Sequence, residues 1–253
     1  MRATDRYRAK TRDDLQDILD FDWDPTQLKP LPVIKRPDTL EEKYKKISQE
    51  KSLDRIQRQI LNLHNFVINC SMCHLGTNTC EFKNTVFDPH VFSNMNASKW
   101  VLVGQNPGFN ECLQGKPFVG DSGKVFDEEI AKHGVSRDKF YISNLVKCYT
   151  TGNSKPLAES QERCEAILRM ELTIIRPILV IALGAVSFKA FCPNLNFSEN
   201  MGKIVKSDKF GVKVFPIYHP SPRNTNLPDR REQFEKSIRL LCKIVTAYDK
   251  KQK

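Results

Sequence analysis

The sequence predicts an α/β fold, a three-layer α/β/α sandwich around a four-stranded, mostly parallel sheet. Three observations predict it. Four apolar runs, Trp100–Val103, Phe140–Val146, Ile178–Leu183 and Val212–Tyr218, have the length and bounding turns of buried strands. Segments of helical period lie between and after them, and such alternation makes successive strands parallel and covers both faces with helices. The chain has 253 residues, 40% of them hydrophobic, which suits one ordinary domain with an appendage or two small domains.

Residues 1–60 read as an extension. They mix charge with a proline-rich piece, Pro25–Pro37, followed by a polar stretch, Leu40–Gln59, that can form a helix. A partly disordered or helical arm that meets a protein partner is one reading of it. The folded domain is expected over residues 61–248, with a basic tail at 249–253. The first strand stops at Gly104, where GQNPG turns the chain: Gly104 and Gly108 permit unusual dihedrals and Pro107 fixes its own. A second tight turn, GKPFVGDSG, precedes a helix over Ser122–His133. The second strand, Phe140–Val146, leads through a polar loop to a helix over Glu159–Ile175. The third strand is followed by a helix over Ala185–Phe191. The fourth leads to a last helix, Asp229–Tyr248, with Phe234, Ile238, Leu241 and Val245 on one face.

Charge and composition bound the function. The net charge of +10 is uneven: residues 201–253 carry 13 Lys and Arg against 5 Asp and Glu, whereas residues 61–200 carry 13 of each. A local basic excess attracts a polyanion, most simply nucleic acid. Lys203, Lys206, Lys209, Lys213 and Arg223 are therefore expected near a DNA-facing surface. No stretch is apolar enough to span a membrane; the best, Ile174–Val186, is interrupted by Arg176 and Pro177. The N-terminus lacks a secretory apolar core, and Asp5, Asp13, Asp14 and Asp17 argue against a mitochondrial presequence. An intracellular location is expected, nuclear in a eukaryote and cytoplasmic otherwise, and the eight cysteines are not a disulfide framework.

Ligands of open α/β sheets bind beyond the carboxyl ends of the strands. Gln105 and Asn106 stand there, and the second turn brings Phe118 to the same neighbourhood. His219, in YHPSPRN after the fourth strand, is a good donor to negative charge on a leaving group. Ser221 can contact phosphate, and Arg223 projects from a proline-stiffened turn. Cys70 and Cys73 form a C-x2-C turn, and fifteen residues separate Cys148 from Cys164. Four thiolates suit tetrahedral zinc or an iron–sulfur cluster, and spacing does not choose between them. Cys80, Cys112, Cys192 and Cys242 read as buried free thiols.

Taken in order, the C-x2-C, GxxPG, GxPFVGxxG, YISNLVKC, the Cys148–Cys164 spacing, LGA at Leu183–Ala185 and YHPS resemble the uracil-DNA glycosylase superfamily. The similarity is greatest to its iron–sulfur branch (family four). The resemblance implies that Cys70, Cys73, Cys148 and Cys164 hold a structural [4Fe–4S] cluster that fixes a DNA-facing loop, zinc being the alternative. It implies that Phe118 stacks on a flipped uracil and Asn144 reads its O4 and N3 edge. His219 and the backbone N–H of Gln105 would stabilise charge on O2, Ser221 would grip phosphate, and Arg223 would fill the vacated stack. The expected activity is hydrolysis of the N-glycosidic bond in single- or double-stranded DNA by a monomer, leaving an abasic site. Where the iron–sulfur branch usually has GEAPG this chain has GQNPG, which with HPSPRN resembles the single-strand-selective and mismatch-specific branches. An Asn amide orients water but cannot take its proton, so Asn106 is expected to place the nucleophile. Two other readings remain: a damaged-DNA binding module with weak or no catalysis, and a zinc-stabilised interaction protein.

Overall fold

The computed structural model describes residues 55–68, 70, 72–77, 99–114, 116–150, 152 and 154–251. The expectations for residues 1–54, for Cys80 and for the Cys112 side chain lie outside the described residues.

The sheet has five strands, β1 (Trp100–Gly104), β2 (Phe140–Asn144), β3 (Leu179–Leu183), β4 (Val205–Ser207) and β5 (Val212–Ile217), in the order β2-β1-β3-β5-β4. The four expected strands are all present and parallel, with Gly104 opposite Asn144 and Leu183 opposite Ile217. The expectation of four is corrected by β4, which pairs antiparallel with β5 at the edge. Its three residues carry no apolar run, only Val205 flanking Lys206 and Ser207, so sequence pattern could not distinguish it from loop. β2 ends two residues earlier than expected, although Leu145 and Val146 still donate to the carbonyls of Gly104 and Gln105.

Alternation along the strands divides the core in two. Val101, Val103, Val180, Ala182 and Val214 face one side with helices α1 (Arg55–Ile68), α5 (Ala158–Ile175) and α6 (Gly184–Phe191). Trp100, Leu102, Leu179, Ile181 and Phe215 face the other with α4 (Asp121–Ala131) and α9 (Pro228–Lys251). This is the three-layer sandwich, and both faces of the inner strands are buried as a parallel sheet requires. Short helices α2 (His74–Thr77), α3 (Phe109–Gln114), α7 (Phe197–Asn200) and α8 (Pro222–Thr225) fill the loops.

Helix ends follow local chemistry. α5 stops at Arg176, which takes a left-handed φ of 51° before Pro177, and Lys99 donates to the carbonyl of Ile175 at 3.0 Å. α9 begins with Pro228 and buries Phe234, Ile238, Leu241 and Val245, the face expected from sequence. α1 runs through residue 60, and Ile60, Leu63 and Val67 on one of its stripes are fully buried against the sheet face of α5. Among the described residues no helix is long and apolar enough to cross a membrane.

Candidate active site

β1 and β3 are neighbours whose following helices, α4 and α6, lie on opposite faces. A crevice opens at such a point beyond the carboxyl ends of the strands. Five segments end there: 105–108 after β1, 117–120 before α4, 144–150 after β2, Gly184 after β3 and 218–223 after β5.

Asn144 occupies one wall. Gly104 is its register partner, and a Cβ on Gly104 would lie 2.5 Å from Asn144 Oδ1, so only glycine lets the amide lie across the end of β1. Below it, Lys147 Nζ donates to the Asn144 carbonyl at 2.8 Å, to Ser143 Oγ at 2.7 Å and to Glu171 Oε2. Tyr141 and Ser143 donate to the two oxygens of the same carboxylate at 3.0 and 2.7 Å. The Lys147 and Glu171 side chains are 5% and 2% exposed. A buried ion pair is tolerable only with partners of this kind.

The amide of Asn106 is held from three sides. Its Nδ2 donates to the Pro107 carbonyl at 3.0 Å and to Thr150 Oγ1 at 3.1 Å, and its Oδ1 accepts from Gln105 Nε2 at 2.9 Å. The Pro107 carbonyl, which can only accept, fixes which end of the amide is nitrogen. Thr150 in turn donates to the carbonyl of Ser154, which ties the 144–154 loop to the GQNPG turn.

Phe118 and His219 meet beyond the strand ends, their rings edge-on with centroids 6.2 Å apart. Phe118 is half-buried, packs against Phe126 and has a φ of 55°. For a bulky residue that conformation costs on the order of 1–3 kcal/mol. A Cβ on Gly123 would stand 1.8 Å from the Phe118 carbonyl oxygen, which explains the last glycine of GxPFVGxxG. At Gly184 the φ of +85° is what favours glycine, and a Cβ there would also stand a tight 3.3 Å from the His219 Cβ. Burial lowers the His219 pKa to about 4, against an opposing pull from Glu111, so the imidazole is neutral at neutral pH.

After His219 the chain turns into α8. Asn224 Nδ2 donates to the His219 carbonyl at 2.9 Å and approaches Ser221 Oγ at 3.4 Å, while Arg230 donates to Asn224 Oδ1 at 2.9 Å. Ser221 is half-buried at the head of α8 and Arg223 is exposed. Three of the cations expected beside Arg223, namely Lys206, Lys209 and Lys213, are elsewhere. Lys206 faces Lys213 across β4 and β5, some six residues before His219, about 20 Å of extended strand. Lys209 bonds Glu165. The structure corrects their placement near the site, because β5 carries its lysine at the end remote from the crevice.

Four partners were missed from sequence. Glu111 Oε1 accepts from the N–H groups of Val119 and Gly120 at 2.9 and 2.8 Å. Arg137 donates to the carbonyls of Pro117 and Phe118, and Lys147 and Glu171 lie beneath Asn144 as described. Only Lys147 carried a signal, as the lone charge in YISNLVKC.

The candidate metal ligands lie on the α1 and α5 side. Cys73 and Cys164 are buried, and Cys70 and Cys148 half-buried. Cys164 is pushed up to about 11, first by burial and further by the charges of Cys73 and Cys70, while the Lys147 backbone N–H bonds it. The C-x2-C turn, the residue before Cys148 and Cys164 are thus neighbours. Among the described residues no three His, Cys, Asp or Glu side chains are gathered in a geometry that could hold a metal ion. Cys192 and Cys242 are buried free thiols.

Comparison with known proteins places this geometry. Residues 90–242 match the family model of the uracil DNA glycosylase superfamily. The chain is 35% identical over 201 residues to a type-4 uracil-DNA glycosylase of Archaeoglobus fulgidus, covering 76% of this chain and 94% of the relative. It is 31% identical over 201 residues to that of Sulfurisphaera tokodaii, covering 76% and 85%. It is 36% identical over 122 residues to that of Thermotoga maritima, covering 48% and 64%. With the glycine-built crevice at the strand ends, these matches settle the family: the chain belongs to the uracil DNA glycosylase superfamily.

Proposed function

We propose that this protein is a DNA glycosylase that draws uracil out of the stack and hydrolyses its N-glycosidic bond, leaving an abasic site. The observation that supports the reading is the pairing of a neutral His219 with the Phe118 ring, at the same strand ends where the Asn144 amide lies across Gly104. Phe118 offers a stacking face to a flipped pyrimidine. Asn144, with an acceptor and donors on one group, suits the O4 and N3–H of uracil and mismatches cytosine.

As the bond to the sugar breaks, its electrons move onto the base and charge grows on O2. His219 and the N–H of Gln105 donate to that charge, and a neutral imidazole does so without protonating the base. Asn106 orients the attacking water through its held amide, and no carboxylate at that position takes the proton. Stabilisation of the departing base therefore supplies most of the barrier lowering, and the proton that the water loses passes to the released base anion or to solvent. Ser221 contacts backbone phosphate, and Arg223 enters the vacated stack.

Cys70, Cys73, Cys148 and Cys164 would hold the [4Fe–4S] cluster that the resemblance implies; the all-sulfur donor set is the chemistry such a group takes, and Cys70 and Cys73 are near enough to Cys164 to act on it, although among the described residues the side chains are not drawn together in ligating geometry. Bound there, it supplies a crosslink between the C-x2-C turn, the loop after β2 and α5. Visible absorption and iron and sulfide content of anaerobically purified protein distinguish it from zinc.

The deciding experiment is single-turnover excision from uracil-containing oligonucleotides, single- and double-stranded. Alkali-labile sites at uracil are expected. Binding to the same DNA without excision would mark the protein as a damage-binding module.

A further inference from the structure

We propose that Arg137 is a positioning residue for the base-stacking ring: its guanidinium grips the turn that carries Phe118 and holds it in the left-handed conformation that turns its ring toward His219. The inference rests on the proposed glycosylase function and deepens it.

Phe118 is one of two described residues other than glycine with a positive φ, and the other, Arg176, merely ends a helix. Such a conformation in a bulky residue persists only where its surroundings impose it. The surroundings here are specific. Arg137, on the short 3-10 turn Arg137–Lys139 before β2, donates Nη1 to the Phe118 carbonyl at 2.9 Å and Nη2 to the Pro117 carbonyl. Its guanidinium carbon lies 5.8 Å from the centre of the Phe118 ring. Asp127 of α4 fixes the guanidinium from behind at 3.0 and 3.1 Å. On the far side of the turn the Glu111 carboxylate receives the next two N–H groups. Gly123 removes the one side chain that would collide with the Phe118 carbonyl.

The chain thus grips two successive carbonyls with one planar fork and two successive N–H groups with one carboxylate. No ligand is needed to hold the ring, so its ordering is complete before DNA arrives. A stacking platform that is already ordered spares the complex that entropy loss. Lysine cannot reproduce the fork, since its ammonium is a single point charge on a flexible stem.

The test measures affinity for two duplexes that cannot be cleaved, one containing 2′-fluoro-2′-deoxyuridine and one a tetrahydrofuran abasic site. Arg137→Met is expected to weaken binding to the first by about tenfold, the scale of one lost base stack, and to change the second by less than about twofold. Arg137→Lys should recover only part of the difference. Equal loss on both duplexes, or no loss on either, overturns the proposal. If Arg137→Met fails to fold by circular dichroism, Asp127→Asn, which frees the guanidinium without removing it, should show the same selective loss at smaller size. Its absence there overturns the proposal too. Wild-type protein that does not excise uracil defeats the underlying reading; wild-type excision with undiminished base selectivity in the variants defeats this one alone.

Discussion

Lys147 Nζ donates to the backbone carbonyl of Asn144 at 2.8 Å, from a side chain that is only 5% exposed. The residue proposed to read the base and a buried ammonium are thereby parts of one network that ends at Glu171. Lys147→Met leaves the Glu171 carboxylate buried without its cation, an event that costs about 3–5 kcal/mol. Urea unfolding should show that loss. Adding Glu171→Leu should recover part of the stability, since the Tyr141 and Ser143 hydroxyls then lose their acceptor, and little of the excision rate, because the restraint on Asn144 stays missing.

Asn106→Ala removes the amide that Gln105 and Thr150 hold. Binding to abasic DNA should be nearly intact while single-turnover excision slows by about tenfold or more, the weight of one oriented contact to the water. Unchanged excision would remove Asn106 from the mechanism.

The lowered pKa of His219 has a definite sign. The folded protein takes up a proton at this ring only near pH 4, the unfolded chain near about 6.5. The stability that this neutral ring contributes is complete above about 6.5 and declines as the pH falls toward 4. Ring resonances of His219 should not titrate between about pH 5 and 8, and excision should show no limb from this group near 6.5. A midpoint at 6.5 in the NMR titration would refute the neutral donor.

Gly123→Ala sets a methyl 1.8 Å from a backbone oxygen that cannot rotate away. The turn must shift, at a cost of about 1–3 kcal/mol in stability. Excision should fall further than stability does, since the shift moves Phe118. Thermal unfolding and single-turnover excision compare the two effects.

Salt dependence separates the cations. Arg223→Ala should reduce the slope of log affinity against log salt by about 1, as for one lost phosphate contact. The double change Lys206→Gln and Lys213→Gln should leave that slope unaltered, because both stand at the far end of β5. Fluorescence anisotropy with a labelled duplex measures both.

Much of this was legible in the chain. Runs such as Val101–Val103 and Leu179–Leu183 bury both faces, so their hydrophobicity is continuous and they stand out. The site residues that follow them sit in turns built from glycine and proline, which mark themselves. β4 was illegible because an edge strand of three residues needs no apolar run. Glu111 and Arg137 were illegible for a different reason: they bind backbone atoms, and a backbone partner leaves no matching residue type in the sequence. The basic C-terminal segment misled because charge counted along the chain says nothing about which end of a strand it occupies.

Among the described residues β2 is an outermost strand, hydrogen-bonded only to β1. The residue that would tell uracil from cytosine therefore stands on the sheet's margin rather than its interior. A margin is the first part of a sheet to fray, and α5, by sending Glu171 underneath to meet Lys147, fastens it from a second direction. On the proposed role of Asn144, accuracy in choosing a base would be set by how well a border strand is tethered to a helix, at a distance from any atom of DNA.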